Sequence, residues 1–145
     1  MIIVARTLAL AATLALATAC ATSNRSGDST LYQGLGERSG IAKIVEDLLY
    51  RIVEDDRIAP QFKGIDVVQF HTNLTDQICE ISGGPCTYTG RAMTEVHEGM
   101  NVTETQFNAL AEQLILAMEE NQVSTSAQNR LLGRLVELHP DITHR

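Results

Sequence analysis

Tryptophan is missing from this chain, and phenylalanine and tyrosine occur only three times each. Leu and Ile fill many helical bundles unaided, but apolar helices with so few bulky rings leave room for a large flat apolar guest. Clusters of basic residues are missing too: eleven Lys and Arg stand against eighteen Asp and Glu, a formal net charge of −7. Binding to nucleic acid needs grouped cations to neutralise phosphates, so the charge argues against that partner. No stretch alternates convincingly at period two and no segment repeats, which leaves neither strands nor a solenoid. The longest apolar run, Thr7 to Ala19, falls short of the roughly 20 residues a membrane-spanning helix requires.

That run has another use. Arg6 is the only charge before it, and it ends Leu16-Ala17-Thr18-Ala19-Cys20. A short apolar stretch closed by small residues is a secretory signal. Small residues directly before a cysteine resemble the lipobox of bacterial lipoproteins, which makes Cys20 the lipid-bearing first residue of the mature chain. The alternative is an ordinary cleaved signal with Cys20 incidental. The expected organisation is a signal peptide at 1–19, a lipidated tether at 20–29 and one globular domain at 30–145. Ala21 after the cysteine favours sorting to the outer membrane, with the domain on the periplasmic side. Losing residues 1–19 leaves 126 of the 145, enough for one core. With Cys20 lipidated, Cys79 and Cys86 remain as a pair in an oxidising compartment. They form a disulfide around Gly83-Gly84-Pro85 or stay as two structural thiols.

The domain itself reads as helical throughout. Ile41, Ile44, Val45, Leu48, Leu49, Ile52 and Val53 recur at three- and four-residue steps, giving one apolar stripe on a helix begun at Ser39-Gly40. Asp66 is placed to cap a second helix carrying Phe70, Leu74, Ile78 and Ile81, which Gly83-Gly84 stops. Thr103-x-x-Gln106 is a capping-box signature for a third, with Phe107, Leu110, Leu114 and Met118 inward. Thr125-x-x-Gln128 opens a fourth with Leu131, Leu132, Leu135 and Leu138 inward, ended by Pro140.

Between the second and third helices lies the most informative stretch, Gly83-Gly84-Pro85-Cys86-Thr87-Tyr88-Thr89-Gly90-Arg91-Ala92-Met93-Thr94-Glu95-Val96-His97. A breaker-rich turn delivers a short helix with Met93 and His97 four apart, hence on one face. A neutral imidazole beside a thioether suits an axial iron ligand. By itself this spacing also fits a surface or core histidine.

The order and spacing of Gly-Gly, Tyr-Thr-Gly, Met and His-x-Gly, through Gly99, resemble the proximal region of group 1 truncated haemoglobins. The resemblance extends over most of Thr30 to Thr143. It implies an all-α fold, the two-over-two helical sandwich, enclosing haem b with His97 as proximal ligand. Leu49-Tyr50-Arg51-Ile52-Val53 resembles the family's Phe-Tyr-x-Arg-Val element, which makes Tyr50 the distal tyrosine donating to a bound ligand. Ile58-Ala59-Pro60-Gln61-Phe62 resembles its Leu-x-x-Phe-Phe corner, with Phe62 packed on the haem and Gln61 replacing the paired ring. Phe70, Leu74, Met93 and Phe107 then line the cofactor, and Tyr88 and Arg91 meet its propionates, although Tyr88 fits a core position equally.

On the distal side the chain departs from the family. Leu74 falls where many relatives have a glutamine, so Tyr50 acts alone unless Gln77 reaches in. His71 flanks the pocket, either as a sixth iron ligand or on the surface near a propionate. His139 and His144 read as solvent-facing. The implied function is reversible binding of dioxygen, nitric oxide or carbon monoxide. Nitric oxide dioxygenation or peroxidase turnover is an alternative that requires an unidentified reductase, and a hexacoordinate sensor or electron carrier is another. No catalytic residue is assigned, and contact with the membrane is expected through the lipid anchor only.

Overall fold

The structure, a computed structural model, describes residues 29–145. The expected signal peptide, Cys20 and nearly all of the expected tether lie outside the described residues. Seven α-helices follow in order: α1 (Ser29–Gly34), α2 (Glu37–Glu54), α3 (Val67–Ile81), α4 (Met93–Val96), α5 (Glu104–Glu120), α6 (Thr125–Val136) and α7 (His139–Ile142), with a 3-10 turn at Ala59–Phe62 between α2 and α3. Among the described residues the only bridge of β type is an isolated one between Val102 and Thr143. The expected all-α class therefore holds.

The apolar stripe on α2 is the spine of the core. Ile41, Ile44, Val45, Leu48 and Ile52 are buried, against Ile78 and Cys79 of α3, Leu114, Ala117 and Met118 of α5, and Leu131 of α6. Helix α2 packs on α3 at one side and on α5 at the other, while α1 bridges α2 and α6. Val53, assigned to the same stripe, is instead 69% exposed. It lies one residue past Ile52, about 100° round the helix, and so leaves the packed side.

Helix boundaries differ from the expected ones where packing overrides local signals. Helix α2 starts at Glu37, two residues ahead of Ser39, because Gly36 in the left-handed region (φ +80°) turns the chain directly out of α1. Gly40 is then inside the first turn, where a Cβ would come within 2.4 Å of the Leu35 carbonyl oxygen. No other residue type fits that approach without a backbone shift. Helix α6 is capped by Ser124 accepting from the Ala127 N–H, one residue before the expected Thr125. Gln128 bonds the Val123 carbonyl at 2.9 Å. The Asp66 cap on Gln69 and the Thr103–Gln106 capping box are both present.

Candidate functional site

Helix α4 is a single turn, and its identity depends on what holds it. Its last carbonyls lead to His97, whose backbone N–H and ring Nδ1 both approach the Met93 carbonyl oxygen, at 3.1 and 2.8 Å. A carbonyl can only accept, so Nδ1 carries the proton and Nε2 keeps its lone pair. Nε2 has no protein partner among the described residues, and the ring is half-buried. A tautomer fixed from behind and a free, oriented nitrogen in front is the arrangement of a metal-ligating histidine.

Two devices fix where α4 sits. Upstream, Cys79 and Cys86 are joined by a disulfide with Cα atoms 5.7 Å apart. It closes the turn in which the Gly84 N–H bonds the Cys79 carbonyl at 2.8 Å. A Cβ on Gly84 would lie 2.6 Å from both the Cys79 sulfur and the Tyr32 ring, so disulfide, turn and α1 are in direct contact. Downstream, the C-terminal tail straps the chain just after His97. Asn101 donates to the Arg145 carbonyl at 2.8 Å and His144 donates its N–H to the Val102 carbonyl at 3.0 Å. Helix α7 packs on α4, and His139 meets Glu104 at 2.8 Å while lying edge-on to Phe107, with centroids 4.6 Å apart. His139 is therefore an organised part of the α5–α7 junction, in contrast to the solvent-facing role read from its place near the tail.

A second group of half-buried apolar side chains comes from α3 and the 3-10 turn. Phe62 and Phe70 form an edge-to-face pair with centroids 5.4 Å apart, and Phe70 and Leu74, four apart, share a face of α3. Two contacts set the register of α3 on α2: Arg38 pairs with Asp76 at 2.8 Å, and His71 Nε2 lies 2.9 Å from the Ala42 carbonyl oxygen. Numbers fall along α3 as they rise along α2, so the N-terminal end of α3 faces the C-terminal half of α2. The corner between them is pinned by Asp55, whose carboxylate accepts from Arg57 at 2.6 Å and from Gln113 of α5 at 2.8 Å. Arg57 first, then Gln113, holds that carboxyl far below the usual carboxylate range.

The chain matches the family model described as bacterial-like globin over residues 30–144. The chain belongs to that family. A group 1 truncated hemoglobin of Nostoc commune is 32% identical over 117 residues, covering 81% of this chain and 99% of the relative. One from Tetrahymena pyriformis is 31% identical over 100 residues, 69% of this chain and 83% of its own. Among solved structures, truncated hemoglobin from Tetrahymena pyriformis in its Fe(III) form superposes with a TM-score of 0.77 at 27% identity, covering 79% of this chain and 98% of that one. The 2/2 hemoglobin from Synechococcus sp. PCC 7002, in the cyanomet state with covalently attached heme, gives 0.73 at 26% identity over 79% and 98%. The fold is thus the two-over-two globin sandwich, and the cofactor is haem.

Within this globin the sequence-assigned residues divide. Met93 is half-buried on α4 and supplies the carbonyl that orients His97. Phe62, Phe70, Leu74 and Phe107 are half-buried. Tyr88 is half-buried as well, but its hydroxyl donates to the Arg91 carbonyl at 2.8 Å and its ring covers Gly90. It holds the turn ahead of α4, so its donor is already engaged by the chain; burial raises its pKa. Arg91 is exposed.

Two distal assignments do not survive. Tyr50 is 66% exposed. It lies two residues after Leu48 and two before Ile52, both buried, and so points roughly 160° away from the packed stripe. Its neighbours on that outer face are Lys43, Glu46 and Glu54, all exposed. Leu49, one residue earlier, is half-buried. A signal for this was in the sequence. The family element has one residue between Tyr and Arg, whereas here Tyr50 adjoins Arg51, so matching on the arginine brings Leu49 to the tyrosine position. His71 fills neither of its expected roles: its Nε2 bonds the Ala42 carbonyl and ties α3 to α2. Gln77 is half-buried, farther along α3 toward the disulfide.

Proposed function

We propose that this globin binds diatomic gases reversibly at a five-coordinate ferrous haem whose sole protein ligand is His97. The observation that carries the reading is the bond from His97 Nδ1 to the Met93 carbonyl at 2.8 Å, which leaves Nε2 aimed and unpartnered. When bound, haem supplies an iron with one axial position open to a small ligand. The chain's own residues hold and enclose it. His97 anchors from the α4 side, Phe62, Phe70 and Leu74 form the apolar wall from the α3 side, and Phe107 closes the α5 end against His139. Exposed Arg91 offers a cation to the haem carboxylates. The tether from His71 to Ala42 favours five-coordination over an internal sixth ligand.

The same proposal extends to location. The leader ending at Cys20 and the disulfide between Cys79 and Cys86 together support an exported lipoprotein held on the periplasmic side, since disulfides persist in oxidising compartments. Dioxygen, nitric oxide and carbon monoxide are then the ligands that reach it. A spectrum of the purified, reduced protein with and without carbon monoxide tests the haem reading. A Soret band that moves on adding the gas and is high-spin without it is expected; no band, or a low-spin ferrous form without added ligand, refutes it. Fractionation of Cys20→Ser tests the anchor, with release from the membrane expected.

A further inference from the structure

We propose that the distal wall of this globin is a hydrocarbon surface without a hydrogen-bond donor, so that the site favours carbon monoxide and nitric oxide over dioxygen. The inference rests on the haem reading above and deepens it. A ligand whose outer atom gathers negative charge is held by a donor N–H or O–H within about 3 Å, while a weakly polarised one is not.

The half-buried apolar side chains toward this end of the two helices are Leu49 from α2, Phe62 from the 3-10 turn, and Phe70 and Leu74 from α3. None has a polar atom. The Phe62–Phe70 ring pair marks the end of α3 that faces the C-terminal half of α2, where Leu49 also lies. Four nearby polar side chains are drawn off this wall by position or partner, and Thr75, whose buried hydroxyl has no partner, lies on the buried row of α3 with Ile78 and Cys79. The Tyr50 hydroxyl is on the outer face of α2, 66% exposed. His71 Nε2 is bonded to the Ala42 carbonyl. The Asn73 amide is drawn toward exposed Gln69, whose Nε2 donates to the Asn73 Oδ1 at 2.9 Å. Gln77 lies seven residues beyond Phe70, about 10 Å along the helix axis, beside the start of α2.

The test uses the full haem-loaded chain, with two readouts: dissociation rates of dioxygen and carbon monoxide, and the C–O stretching frequency of the carbon monoxide complex. Leu49→Tyr installs a donor where the wall has none. It should slow dioxygen release about tenfold or more, equivalent to ~1.4 kcal/mol, lower the C–O frequency, and leave carbon monoxide release within about twofold. Leu49→Gln serves the same purpose if the tyrosine does not fold. Tyr50→Phe and Gln77→Leu should change neither readout by more than about twofold. The proposal is overturned if either of those two variants speeds dioxygen release tenfold, or if the wild-type C–O band already lies where the Leu49 variants put theirs. Failure of the purified chain to take up haem is a different outcome, and it sinks the haem reading itself.

Discussion

The two sides of the cleft are built by different means. In the proposed site the proximal histidine, His97, is held by backbone: a carbonyl behind the ring, a disulfide-closed turn before the helix and a C-terminal strap after it. The distal side has no such fixed donor. Its proposed wall is four apolar side chains, and the corner that presents Phe62 is pinned by an ion network around the mostly buried Asp55 carboxylate. Axial ligation depends on one nitrogen placed by covalent and main-chain constraints, whereas ligand preference depends on side chains that a single substitution replaces. A chain can therefore keep the globin's cofactor while changing what the cofactor holds.

Removing His97 breaks the proximal half most completely. His97→Ala should lose haem affinity by about a hundredfold or more, because the coordinate bond goes and no second ligand is poised opposite. Added imidazole should restore the absorption band by filling the space left. Retention of the prosthetic group with unchanged colour and gas affinity would falsify the ligand assignment. Reducing the disulfide comes next. Cysteines seven apart close a short loop worth roughly 2–3 kcal/mol in the chain-entropy model, and denaturant unfolding with and without reductant measures it. Faster haem loss in the reduced protein is expected as well, since the closed turn leads into α4. Equal stability in both redox states would show that α4 is placed by the C-terminal strap alone.

The proposed proximal half is readable in the sequence because its information is local. Gly83-Gly84, Tyr88-Thr89-Gly90, Met93 and His97 sit within fifteen consecutive residues, and each acts on a near neighbour in the chain. Helix caps at Asp66 and Thr103 were readable for the same reason. Tyr50 was misassigned because its role depended on register, and a one-residue slip on a helix turns a side chain by about 100°. The partner of His71 is a carbonyl 29 residues away, which no spacing within one helix reveals. His139 against Phe107 and Glu104 is likewise a meeting of distant segments. The early start of α2 follows from the left-handed turn at Gly36, which brings Gly40 against Leu35 and which no capping signature reveals.

That close contact offers a smaller test, on the shared scaffold. Gly40→Ala should cost about 1–3 kcal/mol in unfolding free energy, because a methyl 2.4 Å from the Leu35 carbonyl forces α1 and α2 apart. Haem binding by the folded fraction should be unchanged. A neutral substitution would mean that the α1–α2 turn yields easily.

The smallest expected effect sharpens the distal side of the comparison. Asp55 is held far below its ordinary value of 3.8 by Arg57 and then by Gln113, while Arg57 also reaches Glu112 of α5 at 2.8 Å. A carboxyl with a depressed folded pKa binds fewer protons in the native state than in the unfolded chain near that value. Its contribution is therefore complete above about pH 4 and declines as pH falls toward the folded value. Its partners Arg57 and Glu112 are exposed, so the effect is modest and weakens with salt. Unfolding of wild type and Asp55→Asn followed from pH 6 down to pH 2 should show the wild type more stable at the upper end and the two curves converging on acidification. A gap independent of pH would mean that Asp55 secures the corner through its hydrogen bonds to Arg57 N and Gln113 alone, with its charge irrelevant. The Phe62 corner would then be as indifferent to protons as the backbone-built proximal side.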